Sequence, residues 1–223
     1  KGVCFDTGGL DLKAAAGMRN MKKDMGGAAH ALALAGLVMA RALPLRITLL
    51  IAAVENAVGP NAFRPGEVIA TRTGASIEID NTDAEGRLVL SDTLARACEL
   101  APDLVLDFAT LTGAARIALG PDLPALYAND DALANDWLAA GQQARDPLWR
   151  MPLWRPYLRY LASGIADLAN GSSSTMAGSV TAALFLERFV RDGQRWAHVD
   201  VYAWNDSDRP GKPAGGEAQG LRA

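Results

Sequence analysis

Three apolar runs of strand length, RITLLIAAV (Arg46 to Val54), DLVLDF (Asp103 to Phe108) and WAHVDVY (Trp196 to Tyr202), are separated by longer stretches of helical pattern. Runs of this kind fit strands covered on both faces. Strands that alternate with helices fold as an α/β domain, with a mostly parallel central sheet sandwiched between helices. Shorter strands fit Gly2 to Phe5, Glu67 to Thr71 and Ser76 to Asp80. Helices fit Asp24 to Ala42, Gly86 to Leu100, Ala132 to Arg145, Arg155 to Ala162 and Met176 to Arg191. The first of these is Ala, Leu and Gly on almost every face, so the expectation is a buried helix stopped by Pro44. Gly164 to Gly178, with its Gly-Ser-Ser-Ser-Thr run, reads as a mobile loop.

The 223 residues are enough for one large domain with a real core. A formal charge of −3 gives no general attraction to nucleic acid or to an anionic membrane. The longest uncharged run in the most apolar stretch, Ala31 to Ala40, is too short to span a bilayer. Cys4 and Cys98 cannot form a disulfide framework for a chain this long, and both read as reduced core thiols of a cytoplasmic protein. No signal peptide is visible at the start. The sequence opens at Lys1 inside a strand and closes at Gly-Leu-Arg-Ala, an apparent helix start. The expected organisation is one catalytic domain over residues 1–223, with an N-terminal domain and a C-terminal end lying outside it.

In sheets of this kind ligands collect at the carboxyl ends of strands. Asp6 follows the first strand, and Asp83 and Glu85 follow the strand ending near Asp80. Two residues apart in extended backbone, Asp83 and Glu85 point to one side. Clustered carboxylates repel, so either one takes up a proton or cations compensate them, and hard oxygen ligands suit Zn, Mn or Mg. Gly86 would allow a sharp turn that aims Arg87 back at the acids. The same spacing also fits a plain helix start with Asp83 as N-cap and Arg87 in solvent. There is no Gly-x-Ser-x-Gly elbow, and Gly211-Lys212 lacks the upstream glycine of a phosphate-binding loop. His30 and His198 lie in apolar surroundings without zinc-pair spacing and read as core histidines.

NTDAEGRL (Asn81 to Leu88) resembles the signature of the leucyl aminopeptidase family, the cytosol aminopeptidases of M17 type. KGVCFDTGGLDLKAAAGMRNMKKDMGGAA (Lys1 to Ala29), FATLTGA (Phe108 to Ala114), LFLERFV (Leu184 to Val190) and WAHVD (Trp196 to Asp200) resemble the same family, in family order. The resemblance implies two divalent ions, Zn, Mn or Mg. Lys1 and Asp24 would bind one, Asp83 the other, and Asp6 and Glu85 both. It implies catalytic roles for Lys13 and Arg87, with a bicarbonate held by Arg87 and the backbone of Gly86 and Leu111. Substrate contacts would fall on Met21, Asn81, Thr110 and Gly113. Peptides with a free N-terminus would be the substrates and a cytoplasmic homohexamer the assembly, with neither membrane nor nucleic acid as partner.

After WAHVD the sequence departs from the family pattern. Tyr202 and Asn205 stand where a small and an apolar residue usually line the pocket for the first side chain. They are either substrate contacts in a more polar pocket or packing residues for the chain beyond. Two rival readings use the same acids: a two-metal phosphoesterase and a non-catalytic metal-binding scaffold.

Overall fold

The computed structural model describes all of residues 1–223. In chain order the elements are β1 (Gly2–Asp6), α1 (Ala15–Met18), a 3₁₀ turn (Met21–Met25), α2 (Gly26–Ala40), β2 (Ala53–Asn56), β3 (Val68–Ala70), β4 (Ser76–Glu78) and α3 (Glu85–Glu99). There follow β5 (Val105–Ala109), α4 (Gly113–Leu119), β6 (Ala125–Ala128), α5 (Asp131–Ala144) and β7 (Trp149–Arg150). A second 3₁₀ segment (Arg155–Leu161), β8 (Leu168–Ala169), α6 (Gly178–Glu187), β9 (Trp196–Asp200), β10 (Trp204–Asn205) and β11 (Gly215–Gly216) complete the chain.

The expected α/β architecture is present. The largest sheet has the order β5-β9-β6-β7. β9 runs parallel to β5 and antiparallel to β6, and β6 runs parallel to β7. A parallel pair β1-β2 and a three-stranded sheet β3-β4-β8 lie beside it, and β10-β11 is a small antiparallel pair. All five residues of β9 are buried, because alternate side chains meet different helices on the two faces. Val105, Ala109 and Trp196 pack with Leu94 of α3 and Phe185 of α6. Phe108, Leu126, Ala197 and Val199 pack with Ala134 and Trp137 of α5. This two-sided core fixes the carboxyl ends of β5 and β9, where the site is built. No helix is long and apolar enough to cross a membrane.

Several local expectations are corrected. Arg46 to Val54 is not a central strand: only Ala53–Asn56 is extended, paired with β1 alone, and Ile47 and Ile51 are exposed. An apolar run becomes a central strand only when partners flank it on both sides, and here one side has none. α2 starts after a 3₁₀ turn and buries a single side, leaving Leu32, Leu37 and Met39 exposed. Its sequence is apolar all round, so periodicity could not say which side packs. Arg155–Leu161 is 3₁₀ rather than α. Part of the expected loop 164–178 is ordered: β8 pairs parallel with β4, and Asn170 and Gly171 are buried. The last residues form no helix start. Instead the amides of Gly220, Leu221 and Arg222 donate to the Asp146 carboxylate at 2.8, 2.9 and 2.9 Å. Cys98 is buried as expected, but Cys4 is exposed, because it points away from the core on a strand with one neighbour.

Candidate metal centre

The site lies at the carboxyl ends of β1, β2, β5 and β9 and the N-terminus of α3. β1 delivers Lys1 at its start and Asp6 at its end. The chain then turns through Gly8, at φ 89°, where a β-carbon would meet the Asp11 carbonyl oxygen at 2.5 Å. That turn returns Lys13 over Asp6: its amide donates to the Thr7 carbonyl at 2.9 Å and its ammonium lies 2.9 Å from Asp6 Oδ2. The 3₁₀ turn before α2 brings Asp24 against Lys1. α3 begins at Glu85 behind Ala84, with no side chain capping it, so the reading of Asp83 as a simple N-cap does not hold.

The acids divide between two lysines. Lys1 Nζ lies 2.8 Å from Asp24 Oδ2 and 2.9 Å from Glu85 Oε1, and donates to the Thr110 carbonyl at 2.9 Å. Lys13 Nζ pairs with Asp6 and with Asp83 Oδ1. Oxygens of Asp6, Asp83 and Glu85 lie within 4.8 Å of one another. Gly86 has a different use from the expected turn: a β-carbon there would fall 2.6 Å from Cδ, Cε and Nζ of Lys1. Only a residue without a side chain lets Lys1 cross the start of α3.

Four carboxylates thus face two ammonium groups, and their titration reflects it. Burial raises Asp83 to about 6, with Lys13 opposing and Asp6 and Glu85 adding to the rise. Burial also raises Glu85 against the pull of Lys1. Asp6 is held low because Lys13, the Gly8 amide and Asn56 outweigh its burial. Burial works to lower Lys1, but Glu85 and Asp24 outweigh it and hold the ammonium well above its ordinary range. Lys13 is likewise raised by Asp83 and Asp6 in spite of burial.

The donors fit divalent ions. Asp24 Oδ2, Asp83 Oδ1 and Glu85 Oε1 are buried, and each is met by a lysine ammonium alone. Buried carboxylates are costly unless cations balance them, and here two ammonium groups serve four carboxylates. Asp24 Oδ1, by contrast, accepts from Thr110 Oγ1 at 2.7 Å, which aims the second oxygen into the cage. Arg87 is buried in the first turn of α3, with burial lowering it to about 10. Its Nη1 donates to the Asn170 carbonyl at 2.7 Å, while Nε is buried without a partner.

The remaining sequence-derived residues are distributed unevenly. Met21, Thr110, Leu111, Gly113 and Tyr202 line one cleft with Lys1, Asp24 and Asp83. Asn81 stands beside the cage, its Oδ1 accepting the Asp83 amide at 2.8 Å. The Leu111 amide is taken by Asp200 Oδ1 at 3.0 Å. Asn205 is outside the cleft, its Nδ2 donating to the carbonyls of Lys212 and Pro213 at 2.7 and 2.9 Å. His30 and His198 are satisfied core residues: His30 bonds the Gly26 carbonyl and accepts the Gln219 amide, and His198 bonds Asp107.

Three supporting residues escaped sequence reasoning. Asn56 Nδ2 donates to Asp6 Oδ1 at 2.8 Å and approaches Glu85 Oε2 at 3.4 Å. Asn170 accepts the amides of Asp80 and Asn81 and returns a bond to the Asn81 carbonyl, fixing the segment before Asp83. Asp200 binds the Leu111 and Thr112 amides and the Thr112 hydroxyl, fixing the segment that receives Lys1. The position of Asn56 and Asp200 at strand ends was the one available signal. Lys23 and Arg116 also line the cleft, and burial lowers Lys23 to about 8.

The cytosol aminopeptidase family catalytic-domain model matches residues 1–223. A probable cytosol aminopeptidase of Roseiflexus castenholzii is 45% identical over 225 residues, covering 100% of this chain and 46% of the relative. One of Dechloromonas aromatica is 48% identical over 218 residues, covering 96% and 43%. The crystal structure of a cytosol aminopeptidase from Coxiella burnetii superposes with a TM-score of 0.97 at 61% identity, covering 99% of this chain and 48% of that one. The chain spans about half the length of the relatives it matches. With a family match over its whole length and a near-identical fold in one solved member, the chain belongs to the cytosol aminopeptidase family.

Proposed function

We propose that this chain carries the active site of a two-metal aminopeptidase that releases the N-terminal residue of peptides and amino-acyl amides. The observation behind this reading is the cage itself: four carboxylates split between two lysines, so that negative charge exceeds the ammonium groups that meet it. Lys1 and Asp24 would hold one ion and Asp83 the second, with Asp6 and Glu85 serving both. Zn, Mn and Mg suit these donors. Bound there, such ions act as Lewis acids and supply a water that ionises near neutral pH.

The protein's own groups complete the chemistry. Lys1 ligates only as a neutral amine, so loading the cage displaces its proton, which Asp24 and Glu85 otherwise retain. Lys13 stays charged between Asp6 and Asp83 and is placed to polarise a scissile carbonyl and stabilise the oxyanion formed from it. Arg87 offers its unpartnered Nε to an anion, and a bicarbonate there would supply a general base. A homohexamer and a cytoplasmic setting belong to the same reading and rest on the family resemblance.

The test uses the full-length parent. Leucinamide should be hydrolysed, N-acetyl-leucinamide should not, and a chelator should abolish the activity reversibly. Equal cleavage of the blocked substrate refutes an aminopeptidase. Hydrolysis of phosphate monoesters in its place points to a phosphoesterase, and neither activity to a non-catalytic scaffold.

A further inference from the structure

Beyond the cage, the cleft has a basic wall. It holds about 440 Å³, and Lys1, Asp24 and Asp83 share it with Lys23, Arg116 and Tyr202. Both cations gather on one ring: Lys23 Nζ and the Arg116 guanidinium carbon each lie 4.7 Å from the Tyr202 ring centre. A tyrosine face holds cations in place without neutralising them. The carboxylates nearby are engaged elsewhere. Asp24 faces Lys1, Asp200 accepts from the Leu111 and Thr112 segment, and Asp206 accepts from the Tyr202 hydroxyl at 3.1 and 3.2 Å.

Two cations without a carboxylate partner, on the wall of a cleft that opens onto the cage, suit an anionic group. An aliphatic side chain would leave them unmatched. A guanidinium offers paired donors matching a carboxylate, and a lysine adds charge without fixing geometry. We propose that Lys23 and Arg116 read a substrate carboxylate, that of an acidic first residue, so that N-terminal glutamate or aspartate is favoured over its neutral amide. This rests on the aminopeptidase reading and deepens it. Tyr202 then serves as the platform that presents both cations, and its bulk in the cleft follows from that use.

Anilides of glutamate, glutamine and leucine, together with the pair Leu-Gly and Leu-glycinamide, test the inference on the full-length, metal-loaded protein. The expected result is a glutamyl anilide favoured over the glutaminyl anilide by about tenfold or more in kcat/KM, with the ratio falling toward one in Arg116→Gln and in Lys23→Gln. A preference of that size for Leu-Gly over Leu-glycinamide, with none for glutamyl over glutaminyl, overturns the assignment to the first side chain and moves the carboxylate to the other end of the substrate. Ratios near one for both pairs, with leucyl anilide still cleaved, overturn the inference and leave the aminopeptidase reading intact. If no member of the set is cleaved, that reading itself fails. Arg116 is exposed, so its variant removes no core packing, and the ratio of two isosteric substrates cancels any loss of folded enzyme.

Discussion

Asp107 and Glu85 are both buried carboxylates, and their surroundings are opposite in kind. Asp107 has an answer for each oxygen: His198 Nδ1 at 2.6 Å and Trp196 Nε1 at 2.8 Å, among the stacked rings of Trp196, His198 and Tyr127. Glu85 has Oε1 met only by the Lys1 ammonium at 2.9 Å, which Asp24 shares, lies among three other carboxylates and is raised by burial. One cluster is complete within the protein and holds β5 to β9. The other carries an excess of negative charge that the fold does not neutralise. Burial is common to both, so burial does not separate the two kinds of acid, whereas the balance of carboxylates against their partners does.

This contrast can be broken by substitution. In the metal-loaded full-length protein, Glu85→Gln should lower kcat/KM by more than ~10²-fold, the scale on which groups that stabilise the transition state act. Its metal-free stability in guanidinium chloride should not fall. A large loss of metal-free stability would place Glu85 with Asp107. Asp107→Ala should do the reverse, costing about 3–5 kcal/mol by leaving His198 and Trp196 Nε1 buried without a partner. A denaturation midpoint close to that of the unchanged protein would sink that assignment.

Asn56→Ala should weaken metal binding by about 10–100-fold, because Asn56 orients Asp6 from behind. Equilibrium dialysis checks it, and unchanged affinity would show that Asp6 needs no support. The smallest effects are those of pH. Asp83, raised to about 6 from an ordinary 3.8, is ionised at a cost in the metal-free protein, so Asp83→Asn should be the more stable form at pH 8, with the advantage shrinking as pH falls through 6 and gone below about 3.8. His198 has the opposite sign. Burial opposes its charge, but Asp107 raises it, so its contribution is complete below its ordinary value of 6.5 and is lost as pH rises through the folded value. His198→Gln should flatten that decline in denaturation midpoint.

The cage is legible in part: Asp6, Asp83 and Glu85 as acids at strand ends, but Lys1, Lys13 and Asp24 only through the resemblance to the family. Asp83, Glu85, Gly86 and Arg87 lie within eight letters of sequence, and Lys1, Asp6, Lys13 and Asp24 within one stretch. Its supports are not, since Asn56, Asn170 and Asp200 reach the acids and their flanking loops only through the fold. The use of Gly86 depends on where Lys1 runs, which no local pattern contains. The run at Arg46 to Val54 has the composition of a central strand, but pairing is decided by neighbours. The basic wall follows the same rule, since Lys23, Arg116 and Tyr202 belong to three distant segments and meet only at one ring.

The most direct measurement is a calorimetric titration of the metal-free full-length protein with Mn²⁺, repeated on Glu85→Gln. The expected result is two ions per chain, with protons released on binding and both sites weakened in the variant, as the proposed sharing of Glu85 between the ions requires. No saturable binding to the unchanged protein, or binding that Glu85→Gln leaves undiminished, would contradict a two-metal cage at these residues.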